Sequence, residues 1–351
     1  MFENFFSKYL LVSAILIILS LFLNLLLIYN KKLFSKFNPS YNPIQKIHED
    51  YTPPFGGIVI FILFFLFVFI DQTDSKFTSL YFIIPSILII AIGLSEDIYG
   101  NASPALRFII IFCSSILFLI YSESLPSLEI PIIGDLINNN FILQILFYSI
   151  ALTAISNGLN MIDGMNGLAG FTVLSMLVSL LSLVFIMGIE VYFGSIIILM
   201  LLIAIFILFN FPFGKIFLGD AGAYWIGWTI GIIVIDLFSS NKLNTWGAPI
   251  ILFYPAIEVI FSTIRKLIQR KNPLKPDVEH LHLKLYFSLK GPIKRSVVYN
   301  SFTTLCLMPF WSIPPLAIMW TQYLPSFTIY FLLFLILVYI IYYKLIPPKQ
   351  Y

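Results

Sequence analysis

The sequence predicts an all-α, polytopic integral membrane protein, and three observations carry that prediction. Hydrophobic residues make up 60% of the 351 positions and charged residues only 11%, whereas a soluble domain carries roughly a quarter charged. The mean hydropathy is +0.97. The apolar residues also gather into runs of membrane-helix length, roughly 20 residues each. Such segments pack into one bundle, so residues 1–351 read as a single domain, although length alone would allow two soluble ones. The net charge of +3 is too small to mark a partner, and no nucleic acid is expected. Cys113 and Cys306 both lie in apolar runs, which supports neither a disulfide framework nor a zinc site.

About eleven transmembrane helices are expected, near 9–29, 56–70, 78–94, 105–121, 141–157, 168–188, 191–210, 221–238, 247–264, 297–320 and 326–343. The first has only Lys8 ahead of it and no small-residue cleavage site after it, so it reads as a retained helix. The second is short, and the fourth and ninth carry polar interruptions. Basic residues accumulate on the cytoplasmic side of a membrane. With the N-terminus outside, 17 of the 20 Lys and Arg fall inside; Lys8, Lys76 and Lys242 fall outside. The expected topology is therefore N-out, C-in. The loops at 30–55, 95–104, 158–167, 211–220 and 265–296 then share the cytoplasmic face and hold nearly every unusual polar residue. The external loop 122–140 has no basic residue. Chemistry confined to one such face would use something soluble from the cytoplasm.

Taken singly, each loop has a plain reading beside a functional one. The first ends HEDYTPPFGGI. Its prolines and glycines suit the start of a helix or a close approach to a ligand, with His48 alongside. The second, GLSEDIYGNASPALRF, sets Glu96 and Asp97 at a helix mouth, with Arg107 ten residues on. They are solvated boundary residues or, since ionisable groups at membrane depth are expensive, functional ones. The third, NGLNMIDGMNGLAG, places Asn157, Asn160, Asp163 and Asn166 three apart. On a helix that spacing gives a drifting stripe. Carboxamides and a carboxylate suit a divalent cation or ribose hydroxyls, while asparagines alone also serve helix packing. The fourth, NFPFGKIFLGDAGAYWIG, sets Asp220 at a helix N-terminus whose free amides favour phosphate, with Lys215 adding positive charge. Asp220 could hold Mg²⁺ against that phosphate. The GxxxxGK[ST] spacing of a Walker loop is missing. In the fifth loop nine of 32 residues are Lys or Arg, which satisfies the positive-inside rule or contacts anionic lipid. Within it, PDVEHLHLKLYF carries His280 and His282 beside Asp277 and Glu279.

Together these strings resemble the polyprenyl-phosphate N-acetylhexosamine-1-phosphate transferases, the family of phospho-N-acetylmuramoyl-pentapeptide transferase and its GlcNAc-1-phosphate relatives. TPPFGG at 52–57 is similar to the family's TPxxGG and GLSEDIYG to its paired-acid motif. NGLNMIDGMNGLAG is similar to NxxNxxDGxDGL, NFPFGKIFLGDAG to NFxPAKxFxGDxG, and PDVEHLHLKL to DxxHxHH. The resemblance runs in order from about 48 to 286. It departs at Glu96, where the family usually has Asp, at Asn166, which replaces the second Asp of DGxDG, and at Leu283, where a third histidine is common.

The resemblance implies a bacterial inner-membrane enzyme whose active site faces the cytoplasm. It would pass HexNAc-1-phosphate from a UDP-N-acetylhexosamine, UDP-GlcNAc by first choice, to undecaprenyl phosphate. The products are the diphospho-linked lipid and UMP, at the first membrane step of a cell-surface glycan pathway. The implied cofactor is Mg²⁺, or Mn²⁺ in its place, and a homodimer is allowed. Asp220 would bind the metal bridging the diphosphate, with Asn160 and Asp163 in the metal shell or at the uridine ribose. Asp97 would deprotonate or orient the lipid phosphate, supported by Glu96. Arg107, Lys215, His280 and His282 would meet phosphates or sugar, and His48, Asn157 and Asn210 complete the substrate-binding set. The alternative is a transporter or flippase for a nucleotide sugar or polyprenyl-linked glycan. Such proteins usually carry polar groups near the midplane and inverted repeats, and no repeat is visible here.

Overall fold

The computed structural model describes residues 2–34, 51–72, 75–122, 124–130, 132–239, 243–273, 275, 278–289 and 296–347. Among these residues the regular elements are all helices, with no strand. Apolar chain in lipid can satisfy its backbone polar groups within a helix without needing a partner segment. The longer helices are α1 (Phe2–Tyr29), α2 (Gly56–Asp71), α3 (Leu80–Tyr99), α4 (Pro104–Leu119), α5 (Phe141–Ile162), α6 (Leu168–Met187) and α7 (Phe193–Asn210). They continue as α8 (Gly219–Ser239), α9 (Phe253–Ile268), α10 (Leu281–Leu289), α11 (Ser296–Cys306), α12 (Ile313–Thr321) and α13 (Pro325–Leu345).

Every one of the eleven apolar segments is helical, but they are not eleven equal spans. Seven helices are long and apolar enough to cross a membrane, and an eighth is gained if the bent pair Val297–Cys306 and Met308–Thr321 counts as one span. That pair turns by 52°. Helices α2 and α4 have 16 residues each, about 24 Å at 1.5 Å per residue, short of a hydrocarbon core of about 30 Å. The ninth segment divides into Gly247–Ile251 and α9.

Helix α8 is the axis of the bundle. Of its span 94% is buried, against 22% for the first span and 17% for the last. It packs on α5, α3 and α2. Small residues make those approaches possible, as expected where no hydrophobic force drives helices together in lipid. A Cβ on Gly57 would collide with the backbone of Gly222, and one on Gly93 with the backbone of Ala221. Deeper in the bundle, the Trp225 and Trp228 indoles donate to Ser86 Oγ and Ser115 Oγ, each at 3.1 Å. A buried indole N–H seeks such a partner. These contacts hold the N-terminus of α8 among the C-terminal ends of α3 and α5 and the start of α4. The predicted site residues meet at this junction of helix ends.

Candidate active site

Two loops form the frame. Residues 52–57 run beside 214–218: the Thr52 hydroxyl donates to the Gly214 carbonyl at 3.1 Å, and the Phe217 amide donates to Pro53 O at 3.0 Å. In return the Gly56 and Gly57 amides donate to the Phe217 and Leu218 carbonyls, both at 2.9 Å. Asn210 then ties this segment to the 163–167 turn. Its Oδ1 accepts from the Gly167 amide at 2.5 Å, and its Nδ2 donates to Ile216 O at 2.8 Å. Asn210 was expected at the substrate; the structure instead buries its carboxamide in the frame, at 3% exposure. Asn166 plays a similar part, donating to Pro212 O at 2.8 Å, while its backbone amide meets Asn300 Oδ1. Gly167 and Gly219 both have φ +80, a left-handed conformation that L side chains resist. Gly167 precedes α6, and Gly219 opens α8, which carries Asp220.

The charged centre sits on this frame. Ser103 caps α4 by accepting from the Leu106 amide at 3.2 Å, with Pro104 at its first position, a favoured helix start. That start sets Arg107 facing α8. Its Nη1 donates to Asp220 Oδ2 at 2.5 Å and to the Tyr224 hydroxyl at 3.2 Å, and it lies 3.8 Å from Glu96 Oε1. The Tyr224 hydroxyl also accepts from Asn160 Nδ2 at 2.9 Å and stands 3.4 Å from Asp220 Oδ2. One hydroxyl thus joins Arg107, Asn160 and Asp220.

Glu96 and Asp97 diverge, as adjacent helical side chains must. Glu96 accepts from the Ala102 amide at 3.0 Å. Asp97 crosses to α8, where Oδ1 accepts from the Asp220 amide at 2.9 Å and Oδ2 from the Ala221 amide at 3.1 Å. This corrects one expectation: these two first-turn amides of α8 meet a carboxylate from α3, not a phosphate. The physical reason is that orphan amides at a helix start take the nearest anion, whichever chain segment supplies it. Each Asp97 oxygen keeps a further lone pair. Asp163, just past the end of α5, lies near the Gly219 backbone at the start of α8. Burial, reinforced by the neighbouring Asp220 carboxylate, holds its carboxyl well above the usual carboxylate range.

The other expected residues lie around this centre. Asn157 Nδ2 donates to its own helix at Thr153 O, 2.8 Å away. Lys215 is exposed, with its ammonium 5.9 Å from the centre of the Phe213 ring. His280 and His282 are buried, their rings 5.7 Å apart and within 13° of parallel. His280 Nδ1 lies 3.3 Å from Glu258 Oε2, and a Cβ on Gly164 would sit 3.2 Å from His282 Nε2. His282 therefore borders the Asp163 loop. The pair does not lie in one extended segment; His282 is in the first turn of α10. His48 and Asp277 lie outside the described residues. Sequence reasoning missed Tyr224, although it stands one helical turn after Asp220, the spacing that puts both on one face. It also missed Glu258, a carboxylate within an apolar segment.

Among the described residues no three His, Cys, Asp or Glu side chains converge into a complete metal site. Mg²⁺ asks for less: it keeps several waters, takes one or two carboxylates, and receives further oxygens from substrate phosphates. Asp220 and Asp163, with the Asn160 carboxamide linked to Asp220 through Tyr224, are an all-oxygen donor set of that kind. Arg107 is the one cation paired with this acid-rich centre among the described residues.

Residues 79–238 match glycosyl transferase family 4. The chain is 27% identical over 270 residues to a Bacillus subtilis protein named probable undecaprenyl-phosphate N-acetylglucosaminyl 1-phosphate transferase, covering 73% of this chain and 72% of that protein. It is 27% identical to the undecaprenyl-phosphate alpha-N-acetylglucosaminyl 1-phosphate transferase of Thermotoga maritima, covering 74% and 76%. It is likewise 27% identical to the phospho-N-acetylmuramoyl-pentapeptide-transferase of Dictyoglomus thermophilum, covering 74% and 82%.

Proposed function

We propose that this chain, whose residues 79–238 match glycosyl transferase family 4, transfers an N-acetylhexosamine 1-phosphate to polyprenyl phosphate. The observation that carries this reading is the acid-rich centre at the start of α8, where Asp97 and Asp163 stand against Asp220 at helix ends and Arg107 pairs with Asp220. Its residues come from the strings that resemble the transferases, and the relatives act on undecaprenyl phosphate by name. A polyprenyl phosphate has its tail in lipid and its phosphate at the surface, and charged groups at helix ends meet such a phosphate without leaving the membrane.

The donor is a UDP-N-acetylhexosamine, with UDP-GlcNAc as first choice. The lipid phosphate attacks the sugar-bearing phosphorus and UMP leaves. One phosphoanhydride replaces another, so no further energy source is needed. The chain's own residues position and neutralise, as in other phosphoryl transfers. Arg107 supplies positive charge next to Asp220. Asp97, fixed by two amides, orients the lipid phosphate or takes its proton, and Glu96 holds the 96–102 turn beside Arg107. His282, which borders the Asp163 loop, and His280 beside it meet the sugar or its phosphates, as does Lys215 at the rim. Asp220, Asp163 and Asn160 would hold Mg²⁺, which when bound would neutralise charge on the diphosphate.

The test is UMP release by purified protein with undecaprenyl phosphate, Mg²⁺ and a panel of UDP-sugars. Release with at least one UDP-HexNAc is expected; none with any sugar would overturn the transferase reading. The site faces the cytoplasm of a bacterial inner membrane in this proposal, because the basic residues favour N-out, C-in. In a background free of Cys113 and Cys306, a cysteine at Lys215 should label only from the cytoplasm and one at Leu136 only from outside. The reverse pattern would invert the topology.

A further inference from the structure

We propose that Glu258 is a positioning residue, a buried carboxylate that fixes the orientation of His280 and, through ring stacking, of His282, for the nucleotide-sugar donor. This inference rests on the proposed transferase activity. Glu258 lies on α9 and is 1% exposed. A buried carboxylate is costly unless it is paired and hydrogen-bonded. Its Oε2 is 3.3 Å from His280 Nδ1, while Oε1 and the nearby Tyr254 and Tyr339 hydroxyls make no hydrogen bond among the described residues. Glu279, next to His280 in sequence, is bound to Arg265 at 2.5 Å. Glu258 is therefore the acid that His280 meets.

A carboxylate at Nδ1 settles which imidazole nitrogen carries hydrogen there and leaves Nε2 for another partner. Such outer partners also fix ring orientation. His282 stacks on this held ring. It is seated in turn against Gly164, one residue from Asp163. A continuous path thus runs from α9 through two imidazoles to the acid-rich centre. Mere space filling does not explain the carboxylate, since apolar replacement of a buried ion pair is often neutral or stabilising.

The experiment uses the full-length protein with UDP-N-acetylglucosamine and undecaprenyl phosphate. Glu258→Gln keeps the shape and removes the charge. It should raise KM for the UDP-sugar about tenfold, the lower end of what losing an outer partner costs. The turnover number and KM for the lipid should move less than about twofold. His280→Ala should raise the same KM at least as far, and the double variant should be no worse than His280→Ala alone. An unchanged KM in Glu258→Gln, or effects that multiply in the double variant, would overturn the proposal. If Glu258→Gln yields no folded protein, Glu258→Asp carries the KM comparison, because it withdraws the charge from Nδ1 by one methylene.

Thermal unfolding in detergent supplies a second readout that needs no turnover. His280→Ala strands the buried carboxylate and should lower the midpoint, and adding Glu258→Gln should restore part of the loss. Failure of that rescue counts against the Glu258–His280 pair. Failure of the unmutated protein to release UMP counts against the function instead.

Discussion

Helix α8 carries an acid near each end, and the two ends are built differently. At its start, Asp220 pairs with Arg107, which also lies 3.8 Å from Glu96, and Asp97 and Asp163 stand against Asp220. Near its other end, Asp236 pairs with Lys76 and accepts from the Tyr192 hydroxyl at 2.7 Å. Among the described residues the second cluster is balanced, one acid to one base, and closes on itself. The first carries, among the described residues, several carboxyl groups for one guanidinium, and its surplus oxygens are what the proposed cation and phosphate donor would complete. The same helix therefore shows what separates a clasp from a site: a clasp satisfies itself, and a site is left for a ligand to finish.

The sharpest way to break this contrast is at Asp220. Asp220→Asn should lower UMP release by a factor on the order of 10² or more, as loss of a charge-stabilising group does, with the thermal midpoint nearly unchanged. Near-normal turnover would show that the surplus oxygens have no catalytic use. Asp97→Asn should act on both readouts. Its amide nitrogen would face one of the two backbone donors of α8, and an unmet buried donor costs about 1–3 kcal/mol. Most activity should go with it; a fall in rate without a fall in stability would mean that Asp97 is not the anchor of that helix start.

Smaller effects should follow from the hydroxyl hub. Tyr224→Phe removes the link between Arg107 and Asn160 and should cost about 1 kcal/mol of stability, with a several-fold lower turnover in the UMP assay. Full activity would take Tyr224 out of the site. Smallest of all, Asp236→Asn at the far end should leave UMP release untouched. It should lower stability by no more than about 1 kcal/mol, since both partners are partly exposed. A loss of turnover there would end the distinction between clasp and site.

Much of this was legible without coordinates. The membrane class followed from hydropathy, and the eleven helical segments from the lengths of the apolar runs. The residues of the acid-rich centre came from strings in which acids and carboxamides interrupt such runs; each string had a plain reading of its own, and the family resemblance joined them. Span number was less legible: composition marks where helices form, but 16-residue helices and the 52° bend depend on how each packs.

What the tertiary structure alone decided was the use of each polar group. Asp97 and Asp220 are 123 residues apart, yet the carboxylate of one is bound by the amide of the other. Asn210 bridges two loops and Glu258 meets a histidine from beyond the next turn. Sequence spacing fixes which side chains share a helix face. Which donor meets which acceptor between helices depends on how closely the backbones approach, and here Gly57, Gly93 and Gly219 set that distance.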